Sequence, residues 1–218
     1  MDVSLVDRVL DAGPVMAVVV ARDPAKAVKL ARALAAAGSP LVEITLRTPK
    51  ALAAIKAVAE EVPGAIVGAG TILAPKDYEA AVQAGAIFGV SPGTTPALLK
   101  TAATGPIPFL PGVATASEIM TAMEHGFSRF KFFPAEQAGG AAALRSLEGP
   151  LPEARFCPTG GIGAGNAAQY WALSNVACVG GSWIAPSELI EAEAYEKITA
   201  LAKEAAVIRA KVLQAKPA

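Results

Sequence analysis

The segment Arg129-Phe130-Lys131-Phe132-Phe133-Pro134 sets one lysine among phenylalanines in a short apolar run. Burial disfavours a charged ammonium, and a neutral amine is a nucleophile toward carbonyl carbon. Lys131 therefore either attacks carbonyls or stretches its stem to carry its charge to a rim. A second run, Leu41-Val42-Glu43-Ile44-Thr45-Leu46-Arg47, alternates apolar and polar residues. As a strand it places Glu43, Thr45 and Arg47 on one face and Val42, Ile44 and Leu46 on the other. The apolar face must meet helices, so the polar face points inward. An inward carboxylate is costly unless it is paired or used. Glu43 either does chemistry or forms a structural ion pair with Arg47. A third run ends Val67-Gly68-Ala69-Gly70-Thr71. The Thr71 hydroxyl and nearby N–H groups can take a carboxylate, or Thr71 caps the following helix.

Two later runs end in glycine pairs, Pro158-Thr159-Gly160-Gly161-Ile162 and Val179-Gly180-Gly181-Ser182. Glycine lets backbone approach an anion closely and aim N–H groups at it. Each pair alone also reads as a tight turn into a helix. Gly163-Ala164-Gly165-Asn166-Ala167-Ala168 fits a loose dinucleotide pattern, but it follows the seventh strand rather than the first, and no acidic residue ends the next strand. Ser91-Pro92-Gly93 and Leu110-Pro111-Gly112 read as rigid turns shaping a mouth.

The elements that must position these residues repeat. Apolar runs begin near Val15, Leu41, Ile66, Ile87, Pro108, Arg129, Arg155 and Val176, four to seven residues each. They are continuous, as parallel strands covered on both faces are. Helical segments separate them: Asp23–Ala37, Pro49–Glu61, Pro75–Ala84, Thr95–Thr104, Thr115–His125, Gly140–Leu147 and Gly165–Leu173. Asp23-Pro24, Thr48-Pro49 and Thr95-Pro96 read as helix starts, and Gly38, Gly64, Gly85 and Gly126 as stops. Asp2–Leu10 forms a short leading helix and Glu193–Leu213 a closing one. The pattern predicts an α/β chain folded as a single (β/α)8 TIM barrel over 1–213, with a loose tail at Gln214–Ala218. Its active site then lies at the carboxyl ends of the strands, with a phosphate site in the loops after strands seven and eight.

Composition narrows the function. Of 218 residues 53% are hydrophobic and 17% charged, which excludes disorder for the bulk of the chain. The net charge is zero, which argues against a nucleic-acid or anionic-membrane partner. Apolar runs such as Val15–Ala21 are too short to span a membrane. The N-terminal residues Met1–Arg8 do not read as a signal peptide. Cys157 and Cys178 sit in apolar runs and read as reduced, buried thiols of a cytoplasm-like compartment. His125 alone cannot build a zinc site of several histidines, and no G-x-S-x-G motif marks a nucleophilic serine.

Taken together, Val42–Arg47, Gly68–Thr71, Ser91-Pro92-Gly93, Lys131-Phe132-Phe133-Pro134-Ala135-Glu136 and Pro158–Ile162 closely resemble the 2-dehydro-3-deoxy-6-phosphogluconate (KDPG)/4-hydroxy-2-oxoglutarate (KHG) class I aldolases. The motifs follow the family's order along nearly the whole chain. The resemblance implies that Lys131 is the Schiff-base lysine and Glu43 the general acid/base. Arg47 and Thr71 would hold the pyruvate carboxylate, with Pro92 lining that pocket. Thr159, Gly160, Gly161, Gly181 and Ser182 match the phosphate-binding region. It further implies a cytoplasmic homotrimer acting on a 2-keto-3-deoxy sugar acid phosphate, with no cofactor and no metal. Ala17 departs from the family, which often has proline there in the first strand, and this bears on the shape of the pocket wall. Two other readings share the fold: a phosphosugar isomerase or epimerase, which needs no imine lysine, and a non-catalytic sugar-phosphate-binding barrel, which needs neither Lys131 nor Glu43.

Overall fold

The computed structural model describes residues 3–215. The expected helix start at Asp2 and residues 216–218 of the expected tail lie outside the described residues. After α1 (Val3–Asp11), strands and helices alternate: β1 (Val15–Val19), α2 (Pro24–Ala36), β2 (Leu41–Thr45), α3 (Ala51–Glu61), β3 (Ile66–Gly70) and α4 (Pro75–Gln83). Next come β4 (Gly89–Val90), α5 (Pro96–Ala103), β5 (Phe109–Leu110), β6 (Gly112–Val113), α6 (Ala116–Glu124), β7 (Arg129–Phe132) and α7 (Gly140–Glu148). β8 (Arg155–Pro158), α8 (Ala167–Trp171), β9 (Val179–Gly181), α9 (Ser187–Glu191) and α10 (Tyr195–Gln214) complete the order. The helix starts follow from local chemistry. Asp23 accepts the Ala25 N–H at 2.8 Å ahead of Pro24. Thr115 accepts the Glu118 N–H, and the Glu118 carboxylate in return accepts the N–H groups of Ala114 and Thr115.

The strands form a curled, wholly parallel sheet in two parts: six strands in the order β5-β4-β3-β2-β1-β9 and three in the order β6-β7-β8. The α/β class expected from the sequence is thus seen as a curled parallel sheet in these two parts. Pro111 has no N–H to give and splits the fifth predicted strand into β5 and β6, although the Lys131 N–H still reaches the Pro111 carbonyl at 3.0 Å. On the other side, single bridges pair Phe156 with Val176 and Thr159 with Gly180. Strand four begins at Gly89 rather than Ile87, and the last strand at Val179 rather than Val176. The closing helix runs through Gln214, so the loose tail does not begin there.

Alternation divides the buried residues. Val42, Ile44, Val67, Ala69, Phe130, Phe132 and Phe156 join the core beneath the helices. Met16, Leu41, Phe88, Val90, Leu110, Cys157 and Cys178 meet inside the curl with Val6, Val9 and Leu10 of α1. The leading helix therefore closes the amino-terminal end of the sheet. Ion pairs hold it there: Asp7 accepts from Arg129 Nε at 2.6 Å and from Arg155 at 3.0 Å, and Asp11 accepts from Arg155 at 3.2 Å. Both cysteines are buried and free. No helix among the described residues is long and apolar enough to cross a membrane.

Candidate active site

β7 carries Lys131 on its inward face, between outward-facing Phe130 and Phe132. Across the curl, β2 presents Glu43. The two meet with Nζ 3.1 Å from Oε1 and 3.4 Å from Oε2. Glu43 is fully buried and Lys131 is 6% exposed. The lysine thus does not stretch to a rim, and Glu43 pairs with Lys131 rather than with Arg47. The Phe133 ring, two residues on, lies 5.3 Å from Nζ. Glycines make room for this pair. A Cβ at Gly70 would collide with the Glu43 carboxylate, and one at Gly68 with the Phe88 ring.

β2 ends at Thr45, whose hydroxyl donates to the Val19 carbonyl at 3.0 Å. Arg47 sits in the exposed turn beyond, and its Nε donates to Thr71 Oγ1 at 3.0 Å. Thr71 does not cap α4, because the Asp77 carboxylate takes the N–H groups of Leu73 and Ala74. Thr71 instead holds φ 58°, a left-handed conformation rare for a β-branched residue and found at sites the surroundings enforce. Pro92 is half-buried. Its turn is fastened by the buried Ser91, whose Oγ accepts the Gly112 N–H at 3.2 Å, and a Cβ at Gly112 would strike the Pro92 carbonyl.

A cleft of about 280 Å³ opens above Lys131. Its wall brings together Arg47, Lys131, Thr159, Gly160, Gly161, Gly181 and Ser182. Glu43, Thr71 and Pro92 are not in that wall; Glu43 and Thr71 contact it through Lys131 and Arg47. Val18, Val20, Phe133, Ile162, Gly180 and Ser187 also line it. Phe133, two residues after Lys131 and just past the end of β7, could have been found from that spacing. Ser187 carried no sequence signal, since it comes from an unexpected short helix. Ala17 points away into the helix-covered core, so the first strand meets the cleft through Val18.

The two glycine pairs serve different ends. Gly160 and Gly161 hold φ 107° and 75°. The carbonyls of Thr159, Gly160 and Gly161 are turned away and bonded, to the N–H groups of Ala135 and Glu136 and to the Asn166 side chain. The N–H groups of Gly161 and Ile162 have no acceptor among the described residues. A turn with its carbonyls occupied and its donors open suits an anion. Gly180 and Gly181 instead leave space, since a Cβ there would meet Thr159 Oγ1 and the Trp183 ring. Of the two charged residues on the cleft wall, Lys131 is balanced by Glu43, and Arg47 supplies positive charge to an otherwise neutral chain's cleft.

A curled parallel sheet with a lysine–carboxylate pair buried inside it, below a cleft, is the arrangement of an α/β aldolase, a carbon–carbon lyase. The family model described as KDPG and KHG aldolase matches residues 6–201, and the chain belongs to that family. It is 50% identical over 199 residues to the KHG/KDPG aldolase of Escherichia coli, covering 91% of this chain and 93% of the relative. Among solved structures, it is similar to the KDPG aldolase of Legionella pneumophila with pyruvate captured as a covalent carbinolamine. That match has TM-score 0.90 and 43% identity, covering 92% of this chain and 97% of the other. It is also similar to the 2-keto-3-deoxy-6-phosphogluconate aldolase of Zymomonas mobilis with 3-phosphoglycerate, at TM-score 0.88 and 48% identity, covering 93% and 95%.

Proposed function

We propose that this chain is a class I aldolase that cleaves KDPG to pyruvate and glyceraldehyde 3-phosphate, with KHG as a second substrate. The observation that carries this is Lys131 Nζ at 3.1 Å from a fully buried Glu43, on the floor of a cleft with an open N–H turn. A proton passed from Nζ to Glu43 leaves a free amine, which attacks the substrate C2 carbonyl. Loss of water, with Glu43 moving the protons, gives a protonated imine. Glu43 then takes the C4 hydroxyl proton. The C3–C4 bond breaks, its electron pair enters the enamine, and the aldehyde leaves. Protonation at C3 and hydrolysis by water release pyruvate and return Lys131. Arg47 and Thr71 hold the carboxylate, with Pro92 behind them, and the guanidinium's planar fork suits that group. The Gly160-Gly161 turn, Thr159, Gly181 and Ser182 hold the phosphate. The carbinolamine in the Legionella relative and the 3-phosphoglycerate in the Zymomonas relative support both halves of this reading.

The single-residue break at Pro111 and the two bridges beside β9 support reading both sheets as one (β/α)8 barrel, and 1–213 as one aldolase domain. The family resemblance supports a homotrimer, and the two unlinked thiols a reducing cytoplasm.

The decisive experiment is pyruvate plus borohydride followed by peptide mass mapping. The expected result is one adduct, on Lys131, lost in Lys131→Met. An adduct elsewhere, or none, overturns the reading and revives an isomerase.

A further inference from the structure

We infer that Asn166 is the positioning residue that sets the phosphate-binding turn, an inference that rests on the assignment of Gly160-Gly161 to the phosphate. Two of the turn's three bonded carbonyls are held by neighbouring backbone: Thr159 by the Ala135 N–H at 2.8 Å and Gly160 by the Glu136 N–H at 3.1 Å. The third, Gly161, is held only by a side chain. Asn166 Nδ2 donates to the Gly161 carbonyl at 3.0 Å, and Asn166 Oδ1 accepts the Gly163 N–H at 2.8 Å. The amide orientation is forced, because a carbonyl only accepts and an N–H only donates. One planar group thus clips the peptide on either side of Ile162, the residue whose N–H has no acceptor among the described residues.

The clip matters because Gly160 and Gly161 are free to leave their left-handed conformations. Turning the Gly161 carbonyl toward the cleft would put an acceptor where the anion needs donors. Asn166 prevents that rotation, and it is itself fixed at the start of α8. That helix is anchored by Trp171 Nε1 donating to the Pro14 carbonyl at 3.1 Å, and by the Tyr170 hydroxyl donating to Glu136. Aspartate has the same shape but no donor for the Gly161 carbonyl. It would also set a negative charge beside the bound anion.

The test compares Asn166→Ala and Asn166→Asp with wild type on KDPG and on KHG, with thermal melts and pyruvate–borohydride trapping alongside. Losing two hydrogen bonds from an ordered turn should lower kcat/KM for KDPG roughly 10- to 100-fold, mostly through KM. KHG cleavage should change less than about 3-fold, since it lacks the phosphate that the turn orders on. Trapping at Lys131 should stay at the wild-type rate. Asn166→Asp should lose at least as much on KDPG as Asn166→Ala. Equal losses on both substrates, no loss on KDPG, or wild-type behaviour in Asn166→Asp would each overturn the inference. Gly161→Val separates this from the underlying assignment. If Gly161→Val is selective against KDPG and Asn166→Ala is not, the phosphate turn stands and the role of Asn166 falls. If neither is selective, both fall.

Discussion

Glu43 and Lys131 lie within hydrogen-bond reach of each other in a place nearly closed to water. Such a pair contributes little net stability, because desolvation offsets its attraction. Its presence in the core therefore points to chemistry. Glu43→Gln keeps the volume but cannot accept a proton, and steady-state turnover of KDPG should fall by about 10²–10⁴. Turnover at the wild-type level would reduce Glu43 to a structural partner. Lys131→Met should abolish imine formation and also destabilise the fold by about 3–5 kcal/mol in urea unfolding, since it strands a buried carboxylate. Adding Glu43→Met should return most of that loss without returning activity. Gly70→Ala should act on the same pair from outside it, lowering activity by displacing the Glu43 carboxylate, because a Cβ there collides with that group. At this scale much was readable in the sequence. A lone lysine between phenylalanines and a glutamate alternating with valine and isoleucine announce themselves by being costly. The partner of Arg47 was not readable, because β2 stops at Thr45 and the following turn, not strand alternation, aims the guanidinium at Thr71.

Among the elements, α1 carries the heaviest electrostatic tie. Hydrogen bonds from Arg129 hold the Asp7 carboxyl below its ordinary value of 3.8, against a smaller opposing effect of partial burial, and the charge of Arg155 adds to the lowering. The unfolded chain then binds the Asp7 proton more readily than the folded one does. This contribution to stability is complete above the ordinary value and fades as pH falls through the lower, folded one. Asp7→Asn should therefore lower Tm at neutral pH, and the gap from wild type should begin to narrow below about pH 3.8 and close once the pH is below the lowered, folded value. A gap that persists at low pH would mean that the loss comes from packing rather than from charge. Apart from the short α9, which nothing in the sequence marked, the helices were legible to within two residues, because prolines, threonines and Asp23 mark several of their starts chemically. The strands were legible as runs but not as ladders. Gly89–Val90 and Phe109–Leu110 are two residues each, because pairing in a curled sheet depends on partners far along the chain and on Pro111, which cannot donate.

For the molecule as a whole, zero net charge leaves attraction of an anionic substrate to the cleft itself, where Arg47 stands on the wall and Lys131 is balanced by Glu43. The periodicity of strand and helix announced the α/β class, but not how the two parts of the sheet meet, since beside β8 only the single bridges Phe156–Val176 and Thr159–Gly180 form. The leading helix has a kinetic meaning as well. With Val6, Val9 and Leu10 packed inside the curl at its amino-terminal end, Lys131 is reached from the cleft at the other end. A substrate anchored there by its keto-acid end must shed its outer fragment first, and the inner fragment can follow only when the way is clear. Traffic is single file. Pyruvate should accordingly inhibit competitively against KDPG and glyceraldehyde 3-phosphate noncompetitively, in initial-rate measurements with each product added in turn. In the reverse, bond-forming direction the same geometry makes the keto acid the first guest and the aldehyde the second, so an aldehyde arriving early finds nothing to join and must back out the way it came.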